Sequence, residues 1–318
     1  MPELSAETII QVPASRLAEA LGQVVRRSLE PDAAERFMAF LQCQGLKTDL
    51  CWAVEDEEGG LGPTFLALPN AGRTAMIFIT SPQTAGEVPR LVRLIDHAHS
   101  RLDPRRVALA QALLETDEPL LARALAQAGY ARLAVLHYME RRLAKLKRFP
   151  QPQWPAEAQL LEYDPALDSQ FKSALAESYI DTLDCPDLCG LRDLDDVLAD
   201  HKGAGVQDPS LWTLVLWKGR PAAVLLLNPL ADGESIELSY LGVAAGDRRR
   251  GLARRLMAHA MHRLSDRPFR RLTLAVDERN EPAVRLYKSF GLACTDRRLA
   301  YIRPVSEAKE SSSSDHRV

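Results

Sequence analysis

Residues 235–259 read SIELSYLGVAAGDRRRGLARRLMAH. Up to Val243 the run has the apolar content and spacing of a strand, a short loop follows, and Gly251 opens a segment of a different period. There Leu252, Leu256, Ala260 and Leu264 share one helical face with Ala253, Met257 and Met261. The pattern predicts a strand over 235–243 and a helix over 252–264. A strand feeding the amino end of a helix through a glycine suits an anion. The first-turn N–H groups lack intrahelical acceptors, and the dipole places positive partial charge beside them. Gly251 lets the backbone approach a ligand closely, and Ala253 keeps the first turn uncrowded. Arg248, Arg249 and Arg250 put cations where a bare helix disfavours them, which makes sense if a phosphate is meant to sit among them.

Working outward, strands are expected at 160–163, 211–217 and 222–227, with helices at 165–180 and 193–201. Downstream a strand over 271–276 leads to NEPAVRLYKSFG, residues 280–291. Asn280 is a natural N-cap, Pro282 suits a first turn and Gly291 a left-handed C-terminal stop. A last strand covers 293–303. The amino-terminal half ends the same way. DEPLLARALAQAGYARLAVLHYMERRL, residues 117–143, sets an acidic-Pro start, an apolar helix, the stopping Gly129 and a final strand against residues 280–304. Segments 51–54, 64–68, 75–80, 88–102 and 106–113 supply the remaining counterparts. An internal duplication accounts for the matched order. Residues 1–144 then form one domain, the proline-bearing 145–156 a linker, 157–305 a second domain, and the serine-rich 306–318 a disordered tail.

With 318 residues, 46% hydrophobic and 26% charged, the chain is long enough for two cores. A net charge of −3 gives no electrostatic footprint for nucleic acid, and the arginine cluster lacks interleaved aromatics. No apolar stretch approaches a bilayer span, and the first residues lack a signal-peptide pattern, so the expectation is a cytoplasmic protein without membrane partners. Five dispersed cysteines argue against a disulfide framework. The pair Cys185 and Cys189 lacks companions at zinc-site spacing, so no metal is expected.

The run 248–253, RRRGLA, together with 280–291, resembles the phosphate-binding signature and following motif of the GNAT superfamily of acetyltransferases, in the required order and on the required elements. The resemblance covers about half the chain securely and the rest as a degenerate copy. It implies a mixed α/β fold: two tandem GNAT-like domains, each a mostly antiparallel sheet flanked by helices. The tandem layout is similar to that of mycothiol synthase, an analogy of architecture alone. The resemblance also implies acetyl-CoA as co-substrate and a primary amine of a small molecule, peptide or protein as acceptor. On that footing Leu241, Gly242 and Val243 would pair with the pantetheine arm, backbone from Arg248 through Arg249, Arg250, Gly251, Leu252 and Ala253 to Arg254 would hold the pyrophosphate, and Asn280 would lie near the pantetheine.

Tyr287 stands where such enzymes often carry the acid that protonates the leaving thiolate, although its apolar helix face also suits a core aromatic. Glu237 is the expected base, acting through water; a salt-bridged strand residue is the bland alternative. Strict alternation would set Glu237, Ser239 and Leu241 on one strand face, opposite Ile236, Leu238 and Tyr240. Tyr240 and the acidic loop bearing Glu177, Asp181, Asp184 and Asp187 could line an acceptor site for a cationic amine. In the first half, Glu87 and Val88 replace phosphate-compatible residues and Leu125 replaces the tyrosine, so that half is expected to be non-catalytic. A non-catalytic acyl-CoA sensor is the competing function. Monomer and homodimer both stay open.

Overall fold

Two apolar runs, Trp212–Trp217 and Arg220–Pro229, are buried on both faces over most of their length, as interior strands must be. They form β8 and β9, joined by a tight turn in which Lys218 and Gly219 take positive φ. With β10 (Ser235–Val243) they make an antiparallel meander, and β7 (Ala158–Glu162) edges it. α7 (Leu252–Leu264) buries Leu252, Leu256, Met257, Ala260, Met261 and Leu264, and returns the chain to β11 (Arg271–Asp277), parallel to β10. Each such leucine contributes about 1.5–3 kcal/mol by leaving water. α8 (Glu281–Ser289) and β12 (Ala293–Pro304) complete the second half, with α5 (Asp168–Tyr179) and α6 (Leu194–Gly203) on the opposite face.

The computed structural model describes residues 7–25, 32–143, 149–206 and 208–306. The expected tail from 307 onward, and residues 145–148 of the expected linker, lie outside the described residues. What is described of the linker is packed rather than loose. Phe149 and Trp154 rest on the α7–α8 core, and His262 meets the Phe149 carbonyl at 2.7 Å.

The first half repeats the order: β1 (Thr8–Gln11), α1 (Leu17–Val24), α2 (Ala33–Cys43), β2 (Cys51–Glu55), β3 (Leu61–Pro69), β4 (Thr74–Ile79), α3 (Val88–His99), β5 (Leu109–Glu115), α4 (Pro119–Gln127) and β6 (Ala131–Arg142). β1, α1 and α2 carry no expectation from the sequence. β5 begins later than the expected 106, because Asp103–Val107 close a turn, with Arg106 and Val107 both donating to the Asp103 carbonyl.

Among the described residues, all strands join in one twelve-stranded sheet of order β1-β2-β3-β4-β5-β12-β6-β11-β10-β9-β8-β7. The two halves therefore exchange their last strands. β12 pairs with β5 over Arg298–Pro304, β11 pairs with β6 over the full length of β11, and β6 and β12 pair with each other at the centre. The expected split near residue 144 divides the chain; the sheet runs across it. This is the mixed α/β architecture expected, with two equivalent halves fused through their carboxy-terminal strands.

Candidate active site

β10 pairs with β11 only from Ser235↔Arg271 to Glu237↔Thr273. β9 stays with β10 to Val243, and β11 stays with β6 to Asp277. The two parallel strands therefore splay, leaving the β11-facing edge of β10 unpaired towards Val243. That edge offers backbone donors and acceptors to an extended ligand. It ends on the turn expected to bind phosphate, so a chain-like ligand can lie along it with its anionic end at α7.

The register of β10 slips between Leu238 and Tyr240, where Ser239 bulges. The bulge corrects the expected alternation. Ile236 and Leu238 pack toward α7 and α8, and beyond Ser239 so do Leu241 and Val243, while Tyr240 turns to the α5 side. Glu237 and Leu241 thus face opposite ways, and Tyr240 joins the side of Glu237. Gly242 is required here, because a Cβ would lie 2.5 Å from Ser178 Oγ and 2.6 Å from Tyr240 Cε1. Buried Ser178 shares a 2.7 Å hydrogen bond with the Tyr240 hydroxyl.

At the turn before α7, Arg249 (φ 63°) and Gly251 (φ 76°) adopt left-handed backbone, and no side chain among the described residues caps α7. The first-turn amides of Leu252, Ala253 and Arg254 thus lack intrahelical acceptors. The arginines divide their roles. Arg248 donates to the carbonyls of Ser178 (3.0 Å), Ile180 (2.7 Å), Asp181 (3.0 Å) and Val243 (3.3 Å), so it braces the end of α5. Arg250 pairs with fully buried Asp247 at 3.3 Å and lies over Trp217. Arg254 meets Ser289 at 3.3 Å and stacks over Phe290. Arg249 is exposed at the turn itself. An anion placed at this turn would meet the helix amides first.

Tyr287 is buried on α8, and burial followed by the nearby Asp184 pushes its hydroxyl pKa up. Asn280 caps α8 by accepting from Ala283 N at 3.3 Å, and its side chain also bonds Asp184. Asp184 accepts from Asp277 N at 2.9 Å, and fully buried Asp277 accepts from Cys185 N and Arg279. The loop between α5 and α6 is thereby pinned over the β11–α8 junction. Desolvation raises the pKa of Asp184, and it raises that of Glu237 too, with a hydrogen bond from Ser239 opposing.

Around Glu237 and Tyr240 stand several groups that neutral pH leaves uncharged. Burial raises Tyr179 to about 12 and lowers His201 to about 4. Tyr138 is raised by burial and then by the charge of Glu237. Tyr138 belongs to β6, so the first half supplies a wall of this site. Sequence reasoning missed it because nothing local shows that strand crossing over. It also missed Ser178, Asn228 and Ser239, the polar links under the site. A buried Asn in an apolar strand was the available signal.

Among known proteins, residues 174–292 match the Acetyltransferase (GNAT) family. A stretch of 79 residues is 38% identical to a mycothiol acetyltransferase of Thermobifida fusca (strain YX), covering 24% of this chain. The chain matches 24% of that relative's length. The whole fold is similar to a GCN5-related N-acetyltransferase from Sphaerobacter thermophilus (TM-score 0.63, 20% identity, 95% of this chain and 96% of that one). It is also similar to a tandem GNAT protein from the clavulanic acid biosynthesis pathway (TM-score 0.52, 13% identity, 95% and 99% covered). At these identities the structural likeness is one of fold.

Proposed function

We propose, for a chain that matches the GNAT acetyltransferase family over residues 174–292 and is similar in fold to a tandem GNAT protein, N-acetyl transfer from acetyl-CoA to a primary amine at the second half alone. The observation carrying this reading is the open edge of β10 leading directly to the uncapped start of α7. An extended amide-bearing arm ending in a pyrophosphate fits both at once. On this reading Leu241, Gly242 and Val243 offer their backbone to the arm, and the amides from Leu252 to Arg254 hold the pyrophosphate. Arg248 keeps the cleft's shape, and Asn280 orders the α8 end.

Acetyl-CoA supplies an acetyl thioester, and the amine lone pair forms the new C–N bond as the C–S bond breaks. Glu237, through a water, takes the proton that the ammonium must shed. Its raised pKa suits that exchange better than an ordinary carboxylate would. Tyr287 donates its proton toward the departing sulfur, and its raised pKa keeps it protonated until then. The acceptor is a small cationic amine, entering beside Tyr138, Tyr179 and Tyr240 with Glu237 and Asp184 as the carboxylates that face it. Free-thiol release from acetyl-CoA over a panel of primary amines tests the reading. Amine-dependent release is expected; tight acetyl-CoA binding with no release from any amine would favour an acyl-CoA sensor.

A further inference from the structure

The turn between β3 and β4 belongs to the first half yet lies on α6 of the second. Arg73 Nε donates to both carboxylate oxygens of Asp196 (3.0 and 2.9 Å), and its Nη2 reaches Asp196 (2.6 Å) and Asp193 (3.2 Å). In return Arg192, with 10% of its side chain exposed, donates to the Gly72 carbonyl at 3.2 Å and pairs with Asp200 at 3.1 Å. The fit is close: a Cβ on Gly72 would lie 2.1 Å from the Asp196 carbonyl, and one on Gly203 would lie 2.8 Å from the Ala71 Cβ. Arg73 holds this pose at φ 51°, a conformation unfavourable to a side chain and kept only where surroundings impose it.

α6 leads from this contact into the site. Its His201 ring lies 5.5 Å from the ring of Tyr240. The His201 carbonyl accepts from Asn228 Nδ2 at 3.0 Å, and the same amide donates to Ser239 Oγ at 2.9 Å. Ser239 is the bulge residue bonded to Glu237.

We infer that residues Ala71–Arg73 of the first half are a positioning device for the acceptor end of the second, fixing α6 and through it the His201–Asn228–Ser239 connection to Glu237. The inference rests on the proposed acetyltransferase reading only for its kinetic test. It gives the catalytically depleted half a specific duty, confined to the acceptor side, since the phosphate turn and α7 touch none of these residues in the contacts above.

The test compares Gly72→Ala, Arg73→Ala and Arg73→Lys in the full chain. Gly72 needs no positive φ, so alanine suits its own backbone and acts only by forcing α6 away. Three measurements are read together: acetyl-CoA binding by calorimetry, KM and kcat with tyramine or the fastest amine of the panel, and hydrogen exchange of the α6 amides. In Gly72→Ala and Arg73→Ala, acetyl-CoA affinity stays within about twofold, KM for the amine rises about tenfold and α6 exchanges faster. Arg73→Lys, which keeps charge but not the fork, recovers part of the loss. Unchanged amine KM and α6 protection in Arg73→Ala overturn the inference. So does a loss of acetyl-CoA affinity parallel to the loss in KM, which marks a general brace. Should Gly72→Ala not fold, Arg73→Ala decides alone. Should wild type acetylate no amine, the functional reading fails, and α6 exchange still decides the positioning.

Discussion

Matched strand for strand, the two halves place different chemistry at the same positions. Met76 stands in β4 where Glu237 stands in β10, each next to the residue opposite the closing proline of the preceding strand. Phe78 replaces Tyr240, Leu125 replaces Tyr287 and Glu118 replaces Asn280. At the start of α3 the Glu87 carboxylate accepts from Gln83 N (3.1 Å) and Thr84 Oγ1 (3.1 Å), where a phosphate would need those donors. Pro89 removes a further N–H from that first turn. Yet the first half still splays: β4 and β5 part after Ile77↔Ala112, beside a cavity of about 670 Å³ lined by Phe78, Ile79, Leu114, Leu121 and Leu125. Opening the sheet is thus a property of this topology. On the proposed function, reactivity would come from a handful of side chains that only one copy retains.

The comparison breaks most completely if the halves are separated. Expressed alone, residues 149–318 lack β6, so β11 and β12 lose the strand between them. No soluble, cooperatively folded, active protein is expected, whereas a folded active fragment would show the exchange to be dispensable. In the intact chain, circular dichroism and calorimetry should give one unfolding transition for both halves.

Next in size come the residues that differ. Glu237→Gln and Tyr287→Phe should each lower kcat about 10²–10⁴-fold while acetyl-CoA affinity measured by titration holds. Turnover unchanged in Tyr287→Phe would remove the acid from the mechanism. Leu125→Tyr in the first half should add no activity, because Met76 still occupies the place of the base.

At the two phosphate turns, Gly251→Glu should weaken acetyl-CoA binding by at least about tenfold, by setting an anion and a strained φ at the start of α7. Glu87→Gln should leave the stoichiometry at one per chain. Two bound molecules would mean that a single carboxylate keeps acetyl-CoA out of the first half.

The smallest effect is on pH. Because burial raises Glu237, the acidic limb of the rate profile should lie above the ordinary glutamate range and disappear in Glu237→Gln. A raised carboxyl favours the folded state while protonated, so its contribution is full below the unfolded pKa and is lost as pH rises through the folded one. Glu237→Gln should therefore melt about 2 °C higher at pH 8, with the gain vanishing below pH ~4. A lower melting temperature at pH 8 would show that the hydrogen bond from Ser239 outweighs desolvation.

Much of this was legible in residues 235–259 and 280–291. Strand 235–243 and helix 252–264 lie where periodicity put them, and Asn280, Pro282 and Gly291 take the cap, first-turn and left-handed positions foreseen. The bulge at Ser239 was not legible, because an inserted residue looks like any other until its partner strand fixes the register. Nor were the uses of Arg248 and Arg250, since which carbonyl or carboxylate a long side chain reaches depends on segments distant in sequence.

By itself, then, the sequence determined the order of elements from residue 51 onward, their repetition and the place of the glycine turn before α7, all of which follow from local period, capping and glycine conformation. Tertiary structure decided that β6 and β12 change places, that Tyr138 enters the second half's site and that Gly72 lies against α6. A strand's alternation is the same whichever neighbour it pairs with, and an ion pair across more than 120 residues leaves no local trace, so only packing could select these contacts.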